Sequence, residues 1–182
     1  MKEVQRQATL WKGLPPKRFK KYEKWINRIK PGICGTYVSA VLLHDVFLHS
    51  YRVSLDQQKL LKGLKPMIED RFVYRGTFVW DLWLGLSYAL KDIAEIKVKM
   101  SLLPELTVVR LLDSPDPKPI AVGTTKLLGS KYKNHWLVVY AYRYNKEGKL
   151  EFKAYDNHGR YQAIVPASKT IGCVWLAYDQ HK

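Results

Sequence analysis

Cys34 and His135 are the two side chains in this sequence whose surroundings suit covalent chemistry. Cys34 sits in Pro31-Gly32-Ile33-Cys34-Gly35-Thr36-Tyr37, a breaker-rich turn that feeds a long apolar segment. His135 opens Asn134-His135-Trp136-Leu137-Val138-Val139-Tyr140, which reads as a buried strand. A thiol at a helix start gains from the unpaired backbone N–H groups and the helix dipole, both of which favour thiolate. A base at the end of a strand can face a cleft while the strand holds it rigidly. A Cys and a His so placed, far apart in sequence, form the layout of a thiol nucleophile and its base. Gly32 and Gly35 leave room for a substrate backbone, and the N–H of Cys34 is a candidate oxyanion donor.

The base needs an acceptor on its other nitrogen. Asp156 and Asn157 follow the next strand, and side chains alternate faces, so only one of them can share the face of His135. The hairpin at Asn145-Lys146-Glu147-Gly148 decides which. A two- or four-residue loop pairs Leu137 with Asp156 and brings Asp156 onto the His135 face. A three-residue loop with a bulge at Gly148 brings Asn157 there instead.

The other cysteine and histidines read as structural. Cys173 lies in the apolar strand Gly172-Cys173-Val174-Trp175, where a free Cys packs as a small hydrophobe. His44 and His49 fall in or at the end of the apolar segment, His158 in a turn, and His181 in the terminal tail. No His/Cys cluster has zinc-site spacing, so neither a metal nor an organic cofactor is expected.

The elements that position these residues change character along the chain. Phe19, Tyr22, Ile26 and Ile29 recur at spacings of three and four, which predicts a helix stopped by Pro31-Gly32. From Gly35 to about His49 apolar residues cover nearly every face, which predicts a buried central helix. Ser54 with Gln57 predicts a capping box for a short helix through Leu64, and Thr77 a cap for another. After Asp92 seven segments read as strands: Ile96–Met100, Thr107–Leu112, Pro119–Gly123, His135–Tyr144, Lys149–Asp156, Tyr161–Pro166 and Ile171–Ala177. Helices first and strands later predict an α+β fold with an antiparallel sheet. The 182 residues fit a single domain, helical over about 15–92 and sheet over about 93–178.

These residues resemble papain-like cysteine peptidases, and among them the bacterial group related to double-glycine leader (bacteriocin-processing) peptidases. Cys34-Gly35 at the head of the central helix is similar to that group's Cys-Gly pair. His135 with Trp-Leu-Val-Val-Tyr is similar to its His-hydrophobic strand, and Pro119-Ile120-Ala121-Val122-Gly123 to the strand before it. Asp156 stands where those peptidases carry an Asp, so the resemblance favours Asp156 over Asn157 as the third member. It covers roughly Trp25 to Trp175. It implies a papain-like fold and a hydrolase that cleaves peptide bonds through Cys34, His135 and Asp156, by a thioester acyl-enzyme. Two positions depart from the pattern: Thr36 stands where Pro is usual, and Arg28 where a Gln completes the oxyanion hole. The nearest amide is Asn27, which becomes the candidate oxyanion donor.

The formal charge of +15 points to an anionic partner or surface. Basic residues crowd Lys12 to Lys30, with Phe19, Tyr22 and Trp25 among them. The aromatics have helical spacing, so a solvated helix is expected there, with no specific nucleic-acid recognition. No run approaches the length of an apolar membrane span, and the N-terminus lacks a signal-peptide core, so a cytoplasmic protein is expected, or an exported one with a trimmed leader. A peptide or protein substrate is the first expectation. A peptidase-like scaffold acting as a basic binding module and a thiol acyltransferase are the alternatives.

Overall fold

A computed structural model describes residues 10–29, 32–71 and 76–178. The elements are β1 (Lys12–Gly13), α1 (Cys34–Ser50), α2 (Gln57–Ile68), α3 (Val79–Ala89), β2 (Lys97–Ser101), α4 (Pro104–Leu112), β3 (Ile120–Thr124), β4 (His135–Tyr144), β5 (Leu150–Tyr155), β6 (Ala163–Pro166) and β7 (Thr170–Ala177). The class is α+β, with an antiparallel sheet in the order β2-β7-β3-β4-β5-β6. β1 pairs with Ala141 and Tyr142 of β4, where β3 has already ended.

Alternation along β4 builds two cores. Trp136, Val138 and Tyr140 pack with α1, α2 and α3 on one face. Leu137, Val139 and Tyr142 pack with Val108 and Leu112 of α4 on the other. Helix α1 is buried from Gly35 to Val46, as its all-round apolar pattern requires.

Four local expectations are corrected. The segment before Pro31 forms 3-10 turns at Pro16–Arg18 and Lys20–Lys24 and is irregular from Trp25 to Ile29. Its backbone bonds span three residues, Phe19 to Pro16, Tyr22 to Phe19 and Trp25 to Tyr22, and a spacing of three fits that repeat as well as an α-helix. Lys30 and Pro31 lie outside the described residues. Thr107–Leu112 is helix and not strand, because Pro104 opens α4 and its β-branched run turns Thr107, Val108 and Leu112 inward. The cap of α2 is Asp56, whose carboxylate accepts from Lys59 N at 2.8 Å, and the helix continues past Leu64 to Ile68. Phe78, not Thr77, is the N-cap residue of α3, and its N–H donates to the Asp81 carboxylate at 2.7 Å.

The β4–β5 hairpin combines both sequence alternatives. Asn145 N–H donates to Lys149 O at 2.9 Å and Gly148 sits at φ +73°, which makes a three-residue loop over residues 146–148. A second irregularity between Val139 and Ala141 shifts the register back, so Val138 pairs with Tyr155. One step beyond the ladder, Asp156 comes level with Leu137.

No helix among the described residues is long and apolar enough to cross a membrane.

Candidate functional site

Cys34, His135, Asp156 and Asn27 converge at one end of the sheet. Cys34 is the first residue of α1, half-buried, and its sulfur lies near the backbone N–H of Trp136, in the peptide group that joins His135 to Trp136. Gly35 is needed behind it: a Cβ there would stand 2.7 Å from Thr77 Cγ2 and 3.0 Å from Glu69 Oε1. Burial pushes the Cys34 thiol up to about 11, with the Glu69 carboxylate adding to the rise and the N–H groups of Trp136, Gly35 and Cys34 opposing it. The thiol is therefore protonated at neutral pH. Cys173 is fully buried, and burial pushes its thiol to about 12.

His135 is buried at the first position of β4. Its ring stacks on Tyr132, with centroids 5.5 Å apart and planes 14° apart, and faces His158 at 4.3 Å. Nε2 lies 2.8 Å from the main-chain oxygen of Asp156. A carbonyl only accepts, so Nε2 carries the proton and Nδ1 the lone pair. Burial drives the imidazole down to about 4, opposed by the Asp156 carbonyl and assisted by His158. No hydrogen bond joins the thiol and the imidazole among the described residues.

Asp156 thus meets His135, but through its backbone. Its carboxylate closes its own turn, accepting from the N–H of His158 (2.9 Å) and Arg160 (3.0 Å) on Oδ1 and from Tyr132 O–H (2.9 Å) on Oδ2. This corrects the expectation of a carboxylate on the imidazole. Asn157 does not reach His135: it sits at φ +46°, fully buried, and its Nδ2 donates to Trp136 O at 2.9 Å.

Asn27 reaches the nucleophile although it stands one residue further from Cys34 than the resemblance implies. Its backbone N–H donates to Asn157 O at 2.8 Å, and the carbonyls of Ile26 and Trp25 before it accept from Tyr37 and Tyr155 hydroxyls. Its amide then lies against the Cys34 turn. With both amide groups satisfied, its oxygen accepts from Ile33 N at 3.0 Å and Cys34 N at 3.3 Å.

Glu69, Tyr132 and His158 are site residues that the sequence reading does not select. Glu69 follows α2, and its carboxylate accepts from Thr36 N–H at 3.0 Å, from Thr36 O–H and from Thr77 O–H. It caps the nucleophile's own helix with a negative charge, which offsets the dipole that would favour thiolate. Glu69→Gln keeps an acceptor there and removes the charge. Cys34 in that variant is expected to react with iodoacetamide several-fold faster at neutral pH, read by peptide mass spectrometry. An unchanged rate would mean that the charge does not govern the thiol.

Among the described residues no group of three or more His, Cys, Asp or Glu side chains could hold a metal ion. No protein-family model matches the chain, and no curated protein matches it.

Proposed function

We propose that this chain is a papain-like cysteine hydrolase acting on peptide bonds, with Cys34 as nucleophile and His135 as base. The observation that carries the reading is the Cys34 sulfur, set at a helix start near the peptide link of His135, whose ring gives its Nε2 proton to Asp156 O and leaves Nδ1 as the acceptor. An antiparallel sheet with the His on its strand and the Cys helix against one face supports the papain-like fold.

The resting pair is neutral. As the sulfur attacks the carbonyl carbon, the thiol proton passes to His135 Nδ1 and the carbonyl oxygen becomes an oxyanion. The imidazolium then protonates the departing amine, leaving a thioester on Cys34. Water, deprotonated by the same nitrogen, releases the acid and the thiol. Asp156 O holds the ring in the correct tautomer throughout. A half-turn of the Asn27 amide exchanges its oxygen for Nδ2 and frees the N–H of Cys34, giving the oxyanion two donors.

Peptide-library hydrolysis, followed by mass spectrometry, tests the reading together with Cys34 labelling. Turnover is expected in the parent and none in Cys34→Ser. Limiting iodoacetamide should label Cys34 faster than Cys173, and His135→Ala should slow that labelling. A new amide formed with an added amine would identify acyl transfer in place of hydrolysis. The second reading, a basic scaffold without turnover, is favoured by the unbonded thiol–imidazole pair and the Glu69 charge. It is the answer if Cys34 labels no faster than Cys173 and no peptide is cut.

A further inference from the structure

The +15 charge and a set of exposed leucines play no part in the chemistry above. They meet at one end of the sheet. β2 ends, β7 begins, β3 ends and β4 begins there, because these neighbours are antiparallel. Leu102 and Leu103 leave β2, Ile171 is the second residue of β7, and Leu127 and Leu128 stand in the β3–β4 connection; all are exposed. Leu127 is 95 % exposed.

The Leu127 turn is built to hold this display. Thr125 Oγ1 accepts from Leu127 N at 3.3 Å, Asn134 Oδ1 accepts from Lys126 N at 3.0 Å, and Gly129 closes the turn at φ +72°. Lys126, Lys131 and Lys133 lie on the same connection, and a Cβ on Gly129 would stand 3.2 Å from Lys169 Nζ. None of these four lysines forms an ion pair among the described residues. The acidic groups at or near this end include Glu105, in the first turn of α4 beside Leu106, and Asp156 and Glu69, whose carboxylates are taken up by the hydrogen bonds described above.

We infer that this end of the sheet, with the Leu127–Leu128 turn at its tip and Lys126, Lys131, Lys133 and Lys169 around it, docks onto an anionic lipid bilayer. A projecting, hydrogen-bonded turn with two leucines, ringed by lysines that have no ion-pair partner among the described residues (Lys131 rests over the Tyr132 ring), matches an interface with acyl chain below and phosphate above. A nucleic acid or an anionic polymer would satisfy the lysines but offer nothing to leucine tips, since bases stack on aromatic side chains. Single exposed apolar residues are ordinary, whereas leucine pairs from two separate connections gathered at one end with Ile171 of β7 are not. Docking brings the end that holds Cys34 and His135 to the membrane surface, whether or not that pair turns over.

Co-sedimentation with vesicles of phosphatidylcholine, alone or mixed with phosphatidylglycerol, tests it. Binding is expected only with phosphatidylglycerol and weaker in high salt. Leu127→Ser with Leu128→Ser should lower the partition about tenfold or more, with circular dichroism and the urea midpoint unchanged. Gln at Lys126, Lys131 and Lys133 together should lower it about a hundredfold. No binding to phosphatidylglycerol vesicles at low salt overturns the inference. So does full binding by the leucine variant, which would identify a charge-only contact open to any polyanion, or binding lost only because that variant unfolds, which would make the leucines structural.

Discussion

Replacing Arg18 with alanine is expected to cost about 3–5 kcal/mol of stability, because it strands a buried carboxylate. Asp45 lies in the middle of α1 with no exposed surface, and Arg18 grips it with two bonds, Nε to Oδ1 at 2.9 Å and Nη2 to Oδ2 at 2.6 Å. The next basic group, His49 Nε2, is 3.6 Å away, too far to replace either bond. The urea midpoint should fall by about 2 M for a domain of this size. Arg18→Lys should recover only part of the loss, since an ammonium cannot make the paired contact. Adding Asp45→Asn to Arg18→Ala should recover more, because the stranded charge is gone. A change below about 1 kcal/mol would mean that the pair behaves as a surface ion pair. The contact matters beyond stability: with Tyr22 O–H bonded to His44 Nδ1 at 2.8 Å, it fixes the basic segment on α1, and that segment delivers Asn27 to the Cys34 turn.

Patterns that depend on local periodicity were legible in the sequence. The uniform apolarity of Gly35 to Val46 requires a buried helix, and the run from His135 to Tyr144 is strand over its full length. Patterns shared by two structures were not. Phe19 and Tyr22 both reach the core, Phe19 stacking on Tyr140 at 4.2 Å, but a repeat of three suits a 3-10 turn as well as an α-helix. Thr107 to Leu112 has β-branched residues typical of a strand, and only Pro104 at the first position marks a helix start.

The candidate site divides in the same way. Cys34 and His135 follow from residue type and from the ends of elements, which sequence shows, whereas Asn27 follows only from the resemblance. The atom that Asp156 offers depends on the bulge beside Tyr140 and on a turn that consumes its carboxylate, neither of which leaves a residue signature. Glu69 is 33 residues from Thr36 and meets it only through the packing of α2 on α1. No spacing rule reports such a contact.

Acid is expected to unfold this protein through its histidines. An imidazole in the unfolded chain protonates near 6.5, whereas burial holds that of His135 down to about 4. Between those values the unfolded chain binds the extra proton and the folded one does not, so stability falls as pH drops from about 6.5 to 4. Below that window both states carry the proton and the loss stops growing. His135 alone accounts for up to roughly 3 kcal/mol. Burial lowers His44 and His49 as well, which steepens the decline. Urea midpoints measured between pH 7 and 4.5 should drop in the parent, and the slope should flatten in His135→Gln. An equal slope in that variant would place the acid lability elsewhere. The same burial governs the proposed chemistry. An imidazole that stays neutral to about pH 4 cannot hold Cys34 as a resting thiolate, but it keeps a free Nδ1 ready to take the thiol proton as the bond to substrate forms.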